Sequence, residues 1–232
     1  MRIVAALAAG AALLITPPLA RTPGPPLPAL LADTGGGSQL ITAVAPAAGA
    51  TTGTLIWWDR RAGRWHEAGR AAARFGANGL ADGAGRVQGT STTPAGLYDL
   101  PYAFGIDRAP AGTKYPYRAV TDRSWWCEDN ASARYNRWTE PLPADCAPGE
   151  AEHLAAYREQ YAHALVIGFN YAKPVRGRGA GIFLHVNGRG ATAGCVSVPR
   201  AAMRALLRWA DPDRRPHIAI GTRGGPLDVR RA

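Results

Sequence analysis

The chain is poor in lysine, methionine and cysteine, and it has no long apolar run. Of its 27 basic residues only Lys114 and Lys173 are lysine, there are 2 methionines and 3 cysteines, and the longest apolar stretch runs from Ile3 to Ile15. Each shortage excludes something. Thirteen apolar residues fall short of the roughly 20 that cross a bilayer, so no stable membrane span is expected. His66, His153, His163 and His217 stand at no ligand spacing, and so few cysteines leave zinc short of soft ligands; no metal and no cofactor is expected. The arginines form no basic run and no RNA-binding signature, which removes nucleic acid from the partners despite a net charge of +10. No Gly-rich phosphate spacing leads into a helix, and no internal repeat is evident.

What remains is a chain of 232 residues and 24.5 kDa, 47% apolar and 19% charged, with 28 glycines and 19 prolines. That composition suits one folded, loop-rich, β-rich domain. The excess positive charge suits polyanions such as anionic lipid or anionic cell-wall polymers, although arginine so far outnumbering lysine in an Ala/Gly/Pro-rich chain also reads as a bias of the coding DNA. Arg2 ahead of Ile3 to Ile15, followed by Pro17, Pro18 and Ala20, has the plan of a secretory signal over residues 1–20. Residues 21–38, with Pro23, Pro25, Pro26, Pro28 and Gly35 to Gly37, read as a flexible linker, and 39–232 as the domain. A secreted, envelope-associated location follows.

Export places the cysteines in an oxidising compartment. Cys127 and Cys146 are expected to form a disulfide worth about 3 kcal/mol in the chain-entropy picture, with pairings that involve Cys195 left open. On the first pairing Cys195 is the odd thiol, which on an exported protein is buried, paired between molecules, or used.

Two strands are expected between Gln39 and Trp58, then a hairpin turning at Gly63, then loops from Gly69 to Thr93. Short strands follow the Thr93-Pro94-Ala95-Gly96 turn. Trp125, Trp126, Tyr135 and Trp138 fall in the segment from Trp125 to Cys146, Glu150 to Tyr161 has helical character, and ALVIGFNY, GAGIFLHV and PHIAIG read as strands. Between them, Ala202, Met203, Leu206, Leu207 and Ala210 mark a helix with Ser197 as N-cap and Pro199 in its first turn.

His185 ends one strand and Cys195 lies ten residues on, across a Gly-rich turn. Such a pair suits nucleophilic catalysis, provided that the imidazole takes the thiol proton and the following helix dipole lowers the thiol pKa. Gly194 allows a tight bend that turns the Gly194 and Cys195 amides toward a developing oxyanion. A regular hairpin would leave Cys195 about 10 Å beyond His185 at the strand rise, so the TAGC stretch is expected to curl back.

The run IFLHVNGRGATAGCVSVP resembles the active-site segment of YkuD-type L,D-transpeptidases, and Thr93-Pro94-Ala95-Gly96 is similar to the Thr-Pro-x-Gly turn of that family. The likeness spans about Gln39 to Gly221 and looks closest to an exported actinobacterial branch sharing the WW, YNRW and TAGC segments. It implies a mainly β, sandwich-like domain with one or two short helices, and peptidoglycan stem peptides as substrate. It also implies Cys195 as nucleophile, His185 as base, Thr192 shaping the pocket and Gly194 amides at the oxyanion. The reaction would run through a thioester to 3-3 cross-links, or to an L,D-carboxypeptidase product when water is the acceptor.

Two positions depart from the family pattern. Ala193 stands where many members carry histidine, and Ser197 where Arg or Asn is usual, so Arg189 or Arg200 is a candidate for the substrate carboxylate. Tyr135 and Asn136 are candidate groove residues. Papain-like and sortase-like arrangements fit the order and spacing of His and Cys poorly. A non-catalytic wall-binding module is the rival from another class.

Overall fold

Runs of β-branched and aromatic residues divide residues 24–232, those that the computed structural model describes, into short strands and one α-helix. The signal segment expected over residues 1–20 lies outside the described residues. In chain order the strands are β1 (Gln39–Ala45), β2 (Thr52–Arg61), β3 (Arg64–Arg74), β4 (Leu80–Asp82), β5 (Thr93–Asp99), β6 (Ala103–Gly105) and β7 (Tyr117–Ala119). Next come β8 (Trp125–Cys127), β9 (Arg137–Thr139), β10 (Ala151–His153), β11 (Ala164–Val166), β12 (Phe183–Val186) and β13 (Val196–Val198). Helix α1 (Arg200–Trp209) and strand β14 (His217–Thr222) complete the set. The mainly β expectation is met.

Eleven strands form one sheet in the order β4-β5-β14-β1-β2-β3-β13-β12-β11-β6-β7, and β10-β8-β9 form a second. β1 is buried along almost its whole length because it is covered on both faces, Ile41, Ala43 and Ala45 by one cluster and Leu40 by another, which suits the largely apolar QLITAVA. The β2–β3 turn is the two-residue loop expected at Gly63, with Ala62 and Gly63 at φ 48° and 77°.

Side chains alternate across the sheet, and the alternation sorts them into two cores. Leu165, Leu184, Val186, Val196 and Val198 face the larger, mostly aliphatic cluster on which α1 lays Met203, Leu206 and Leu207. Phe104, Val166, Phe183 and Cys195 face the other way, into an aromatic cluster with Trp126, Trp138 and Tyr161. The Phe183 ring meets Phe104 at 5.1 Å and Trp126 at 4.9 Å, both edge-on. The smaller sheet thus covers the aromatic face, and the Cys127–Cys146 disulfide closes its loop as expected.

Four local expectations change. Residues 69–74 belong to β3 rather than to a loop, and Gly69 is needed because a Cβ there would strike the Trp57 indole. The 150–161 stretch is not a helix. It is β10 between three short 3-10 turns, because pairing of β10 with β8, and the burial of Leu154 and Tyr161 in the aromatic cluster, outweigh its helical propensity. Ser197 lies inside β13, and Pro199 takes the N-cap position of α1. The linker expected over 21–38 is docked over its described part: Leu27–Leu30 form a 3-10 turn, Leu27 and Leu31 pack on Leu40 and Val229, and the Ala32 amide donates to Arg230 O at 2.9 Å.

Candidate active site

The ladder that carries His185 and Cys195 is parallel, not a hairpin. β12 and β13 pair as Leu184 with Val196, His185 with Ser197 and Val186 with Val198. Residues 187–195 therefore cross over and return to the start of β12, which removes the 10 Å offset of a hairpin. The crossover is pinned at several points. Arg74 Nη1 donates to Gly188 O at 2.6 Å, Ser197 Oγ donates to Asn187 Oδ1 at 2.9 Å, and the Thr192 amide donates to Phe75 O at 2.8 Å.

This return sets Cys195 beside Phe183. The Phe183 amide donates to Sγ at 3.3 Å, and the thiol donates to Gly181 O at 3.3 Å. Cys195 is a free cysteine and is 7% exposed. Burial, with Glu152 adding to it, pushes its thiol pKa well up; the Phe183 amide and Arg86 pull weakly the other way. The helix dipole adds little, since all of β13 separates Cys195 from the first turn of α1, and the effect fades within one turn. The lowered resting pKa expected from sequence is not found.

His185 is buried with its ring edge against Tyr161 at 5.6 Å. Its Nδ1 lies 2.7 Å from Val186 O, and a carbonyl can only accept, so Nδ1 carries the proton and Nε2 is left as acceptor. Burial lowers its pKa to about 4, with the Val186 carbonyl opposing. The resting pair at neutral pH is therefore a neutral thiol and a neutral imidazole. Both line one pocket of about 180 Å³, together with Tyr157, Gln160, Arg189 and Thr192.

Gly194 has φ 147°, a backbone setting that admits only glycine, and its amide donates to Thr192 Oγ1 at 3.1 Å. Thr192 in turn donates to Cys195 O at 2.6 Å. Thr192 and Gly194 thus build the bend, and the Gly194 N–H is occupied rather than free for an oxyanion. The Ala193 and Cys195 amides have no protein acceptor among the described residues.

The candidate binding residues separate. Arg189 lines the pocket, whereas Arg200 pairs with Asp107 at 2.9 Å on the surface. Tyr135 and Asn136 are buried and committed, contrary to a groove role. Tyr135 Oη donates to Gln88 Oε1 at 2.8 Å, and Asn136 Oδ1 accepts from Trp126 Nε1 at 2.9 Å and from the Gly181 amide at 3.1 Å. Asn136 consequently fixes the residue whose carbonyl receives the thiol. Sequence reasoning missed Arg86, Glu128, Glu152 and Tyr161, which surround Cys195 from segments distant in the sequence. Only the nearness of Arg86 to the Thr93-Pro94-Ala95-Gly96 turn gave any signal. Among the described residues no group of His, Cys, Asp and Glu is placed to hold a metal, and no helix is long and apolar enough to cross a membrane.

No curated protein matches the chain. Among solved structures it is similar to one titled as the structure of Bdellovibrio bacteriovorus Bd1075, at 17% identity and a TM-score of 0.38. That match covers 79% of this chain and 48% of the other, about half its length. The family model described as YkuD, L,D-transpeptidase catalytic domain, matches residues 53–222, from early β2 to the end of β14, and so takes in both His185 and Cys195. With the match covering well over half of the chain, the chain belongs to the YkuD family of L,D-transpeptidase catalytic domains.

Proposed function

We propose that this family member is an exported L,D-transpeptidase of peptidoglycan stem peptides, with Cys195 as nucleophile and His185 as general base. One observation carries the reading: a free thiol and a neutral imidazole with an accepting Nε2 line the same pocket. The thiol hands its proton to Nε2 as sulfur bonds to the carbonyl carbon of the third stem residue. The carbonyl oxygen becomes an oxyanion, for which the Ala193 and Cys195 amides are the available donors. Collapse breaks the C–N bond, the imidazolium protonates the departing D-Ala, and a thioester remains. An amine of a neighbouring stem then attacks, His185 takes its proton, and sulfur leaves with a 3-3 cross-link formed. Water in place of the amine gives a tripeptide.

A neutral resting pair suits this order of events, because charge is created only when substrate covers the site. The N-terminal pattern over residues 1–20 and the Cys127–Cys146 disulfide support export to the envelope, with the catalytic unit over 39–232 and the 27–38 segment docked against it.

Incubating the protein with a tetrapeptide stem, and following D-Ala release with intact mass, tests the reading. A mass gain that disappears on Cys195→Ala, with D-Ala release, is expected. Sacculus digests that contain 3-3 dimers identify the transferase, and free tripeptides alone the carboxypeptidase. Saturable sacculus binding with neither acylation nor D-Ala release identifies the wall-binding module and overturns the proposal.

A further inference from the structure

Strands β1, β2 and β3 bury Ala43, Leu55 and Ala73 in the cluster under α1, so the residues between them point to the other face of the sheet. On that face Val44, Thr54, Ile56, Arg70, Ala72 and Arg74 line two hollows of about 390 and 690 Å³, and a third of about 420 Å³ adjoins them. Val44 and Thr54 are common to the first two, Pro46 to the last two, and Arg223 to all three, so the hollows run together as one trough. No step of the acyl transfer is placed in it.

Four arginines and one acid line this trough: Arg70, Arg74, Arg223 and Arg230 against Asp228. The ladder sorts the arginines into two walls. On one side Arg74 pairs in register with Thr52, and Arg70 with Ile56. On the other, Arg223 follows β14 with its amide donating to Ala45 O at 3.1 Å, and Arg230 lines the same hollow as Arg70. Strand spacing sets the walls about 14 Å apart, and four residues of β3 separate Arg70 from Arg74 by about 13 Å. Ion pairing does not cancel the charge. Arg70 pairs with Glu67 and Arg230 with Asp228, whereas Arg74 and Arg223 have no ion pair among the described residues. Arg74 donates to Gly188 O and Gly190 O, and the Arg223 side chain has no hydrogen bond among the described residues.

The shape narrows the choice of partner. Cations along both walls, with Val44 and Ile56 between them, suit a thin chain that carries anions at intervals and lies along β2. A peptide fits badly, because β1 and β2 are interior strands whose backbone groups are spent in the ladder, and its own amides would find no partner over an apolar floor. Nucleic acid needs open rings on which bases stack; the ring in the trough, Trp58, is 7% exposed and donates its Nε1 to Thr42 Oγ1 at 2.9 Å. A bilayer needs several protruding apolar groups, and among the lining residues Leu30 is the single exposed one. A phosphodiester chain has no amide to satisfy, and each phosphate offers two oxygens to a guanidinium.

We propose that the trough holds a linear phosphodiester polymer of the cell wall, gripped by Arg74 and Arg223 from opposite sides. Its place on the sheet gives this a use. His185, Ser197, Arg74 and Thr52 share one rung, and Gly188, which Arg74 holds, lines the catalytic pocket. A bound polymer therefore keeps the enzyme on the wall and leaves the pocket open to stem peptides. The proposal rests on export to the envelope and is independent of acyl transfer.

Fluorescence anisotropy of a labelled synthetic oligo(glycerol phosphate), titrated with the full chain, tests it. Binding that weakens as salt rises is expected, and Arg223→Glu is expected to weaken it about ten-fold or more with no change in melting temperature. Thr54→Glu, which sets a negative charge on the floor, is expected to do the same. Arg208→Glu makes the same change in net charge on α1, across the sheet, and is expected to alter affinity by less than about two-fold. An equal loss in Arg208→Glu overturns the proposal in favour of the overall positive charge. Single-stranded DNA bound as tightly overturns it in favour of any polyanion. Phosphatidylglycerol vesicles bound through Arg223 without polymer binding, or a dimer that Arg223→Glu dissociates, overturns it in favour of a lipid surface or a second copy. Cys195→Ala is expected to bind the polymer as the unaltered protein does, so failure of the trough and failure of the acyl-transfer reading are read apart.

Discussion

Consecutive residues of β12 live in different surroundings. Leu184 and Val186 point into the larger cluster under α1, which holds no histidine, cysteine or carboxylate. Phe183 and His185 point into the aromatic side, where Tyr161, Glu152 and Cys195 share the space with indole and phenyl rings. The first face holds the sheet together by packing; the second keeps reactive groups neutral by burial. Aromatic rings suit that task because they exclude water while their edges still receive polar atoms. The teaching is that stability and reactivity are sorted by strand parity, one residue apart.

That division can be broken one residue at a time. His185→Ala is expected to reduce kcat/KM for D-Ala release by about 10²- to 10⁴-fold, with a small change in melting temperature; a loss below ten-fold would separate His185 from the chemistry. The reverse holds for Leu184→Ala. It is expected to cost about 2–5 kcal/mol in denaturant unfolding, with kcat/KM of the surviving folded protein changed less than the His185 variant changes it.

Acid provides a subtler probe. A histidine whose folded pKa of about 4 lies below its ordinary value stabilises the fold fully above the ordinary value, and the benefit is lost as pH falls toward 4. About 3 kcal/mol is expected to disappear between pH 7 and pH 4 from this group, and urea midpoints of His185→Asn should show a correspondingly shallower acid slope. Glu128 and Glu152, the two acids beside Cys195, act in the opposite sense. Their raised folded values penalise the fold as pH climbs from the ordinary carboxyl range to about 8, so Glu128→Gln should be the more stable protein at pH 8 and gain nothing at pH 4. The smallest effect belongs to the surface. Arg200→Ala breaks an exposed pair with Asp107 and is expected to change stability by less than about 1 kcal/mol, leaving KM for the stem peptide where it was.

Much of this was legible in the chain. Alternation exposed β1, β2 and β14, the Gly63 hairpin followed from its two-residue turn, and the apolar stripe found α1. His185 and Cys195 stood out because one is a strand-end histidine and the other an odd thiol. Their relation was not legible, because parallel and antiparallel ladders carry the same alternation and only the path of residues 187–195 distinguishes them. Tyr135 and Asn136 misled because aromatic and amide side chains look alike in a groove and in a core network. Arg86 lay hidden in a Gly-rich stretch, and Glu128 beside a cysteine, since a charge acquires meaning only when loops distant in sequence bring it into a shared cavity. The resting thiol also defied expectation: burial outweighs the weak pull of the helix, so iodoacetamide should label Cys195 slowly without substrate even in an active enzyme.

In a hairpin, adding or deleting a residue at the tip slides one strand against the other and rotates every side chain out of place. Here the alignment of β12 with β13 is decided by their own ladder and by the Asn187 amide, which donates to Val198 O at 2.8 Å, while the span from Arg189 to Ala191 beyond it is tied down only where Arg74 reaches Gly190 O at 3.3 Å. Evolution, or an engineer, is thereby free to lengthen or trim that span and reshape the mouth above the sulfur, without disturbing the register that puts Cys195 beside Phe183.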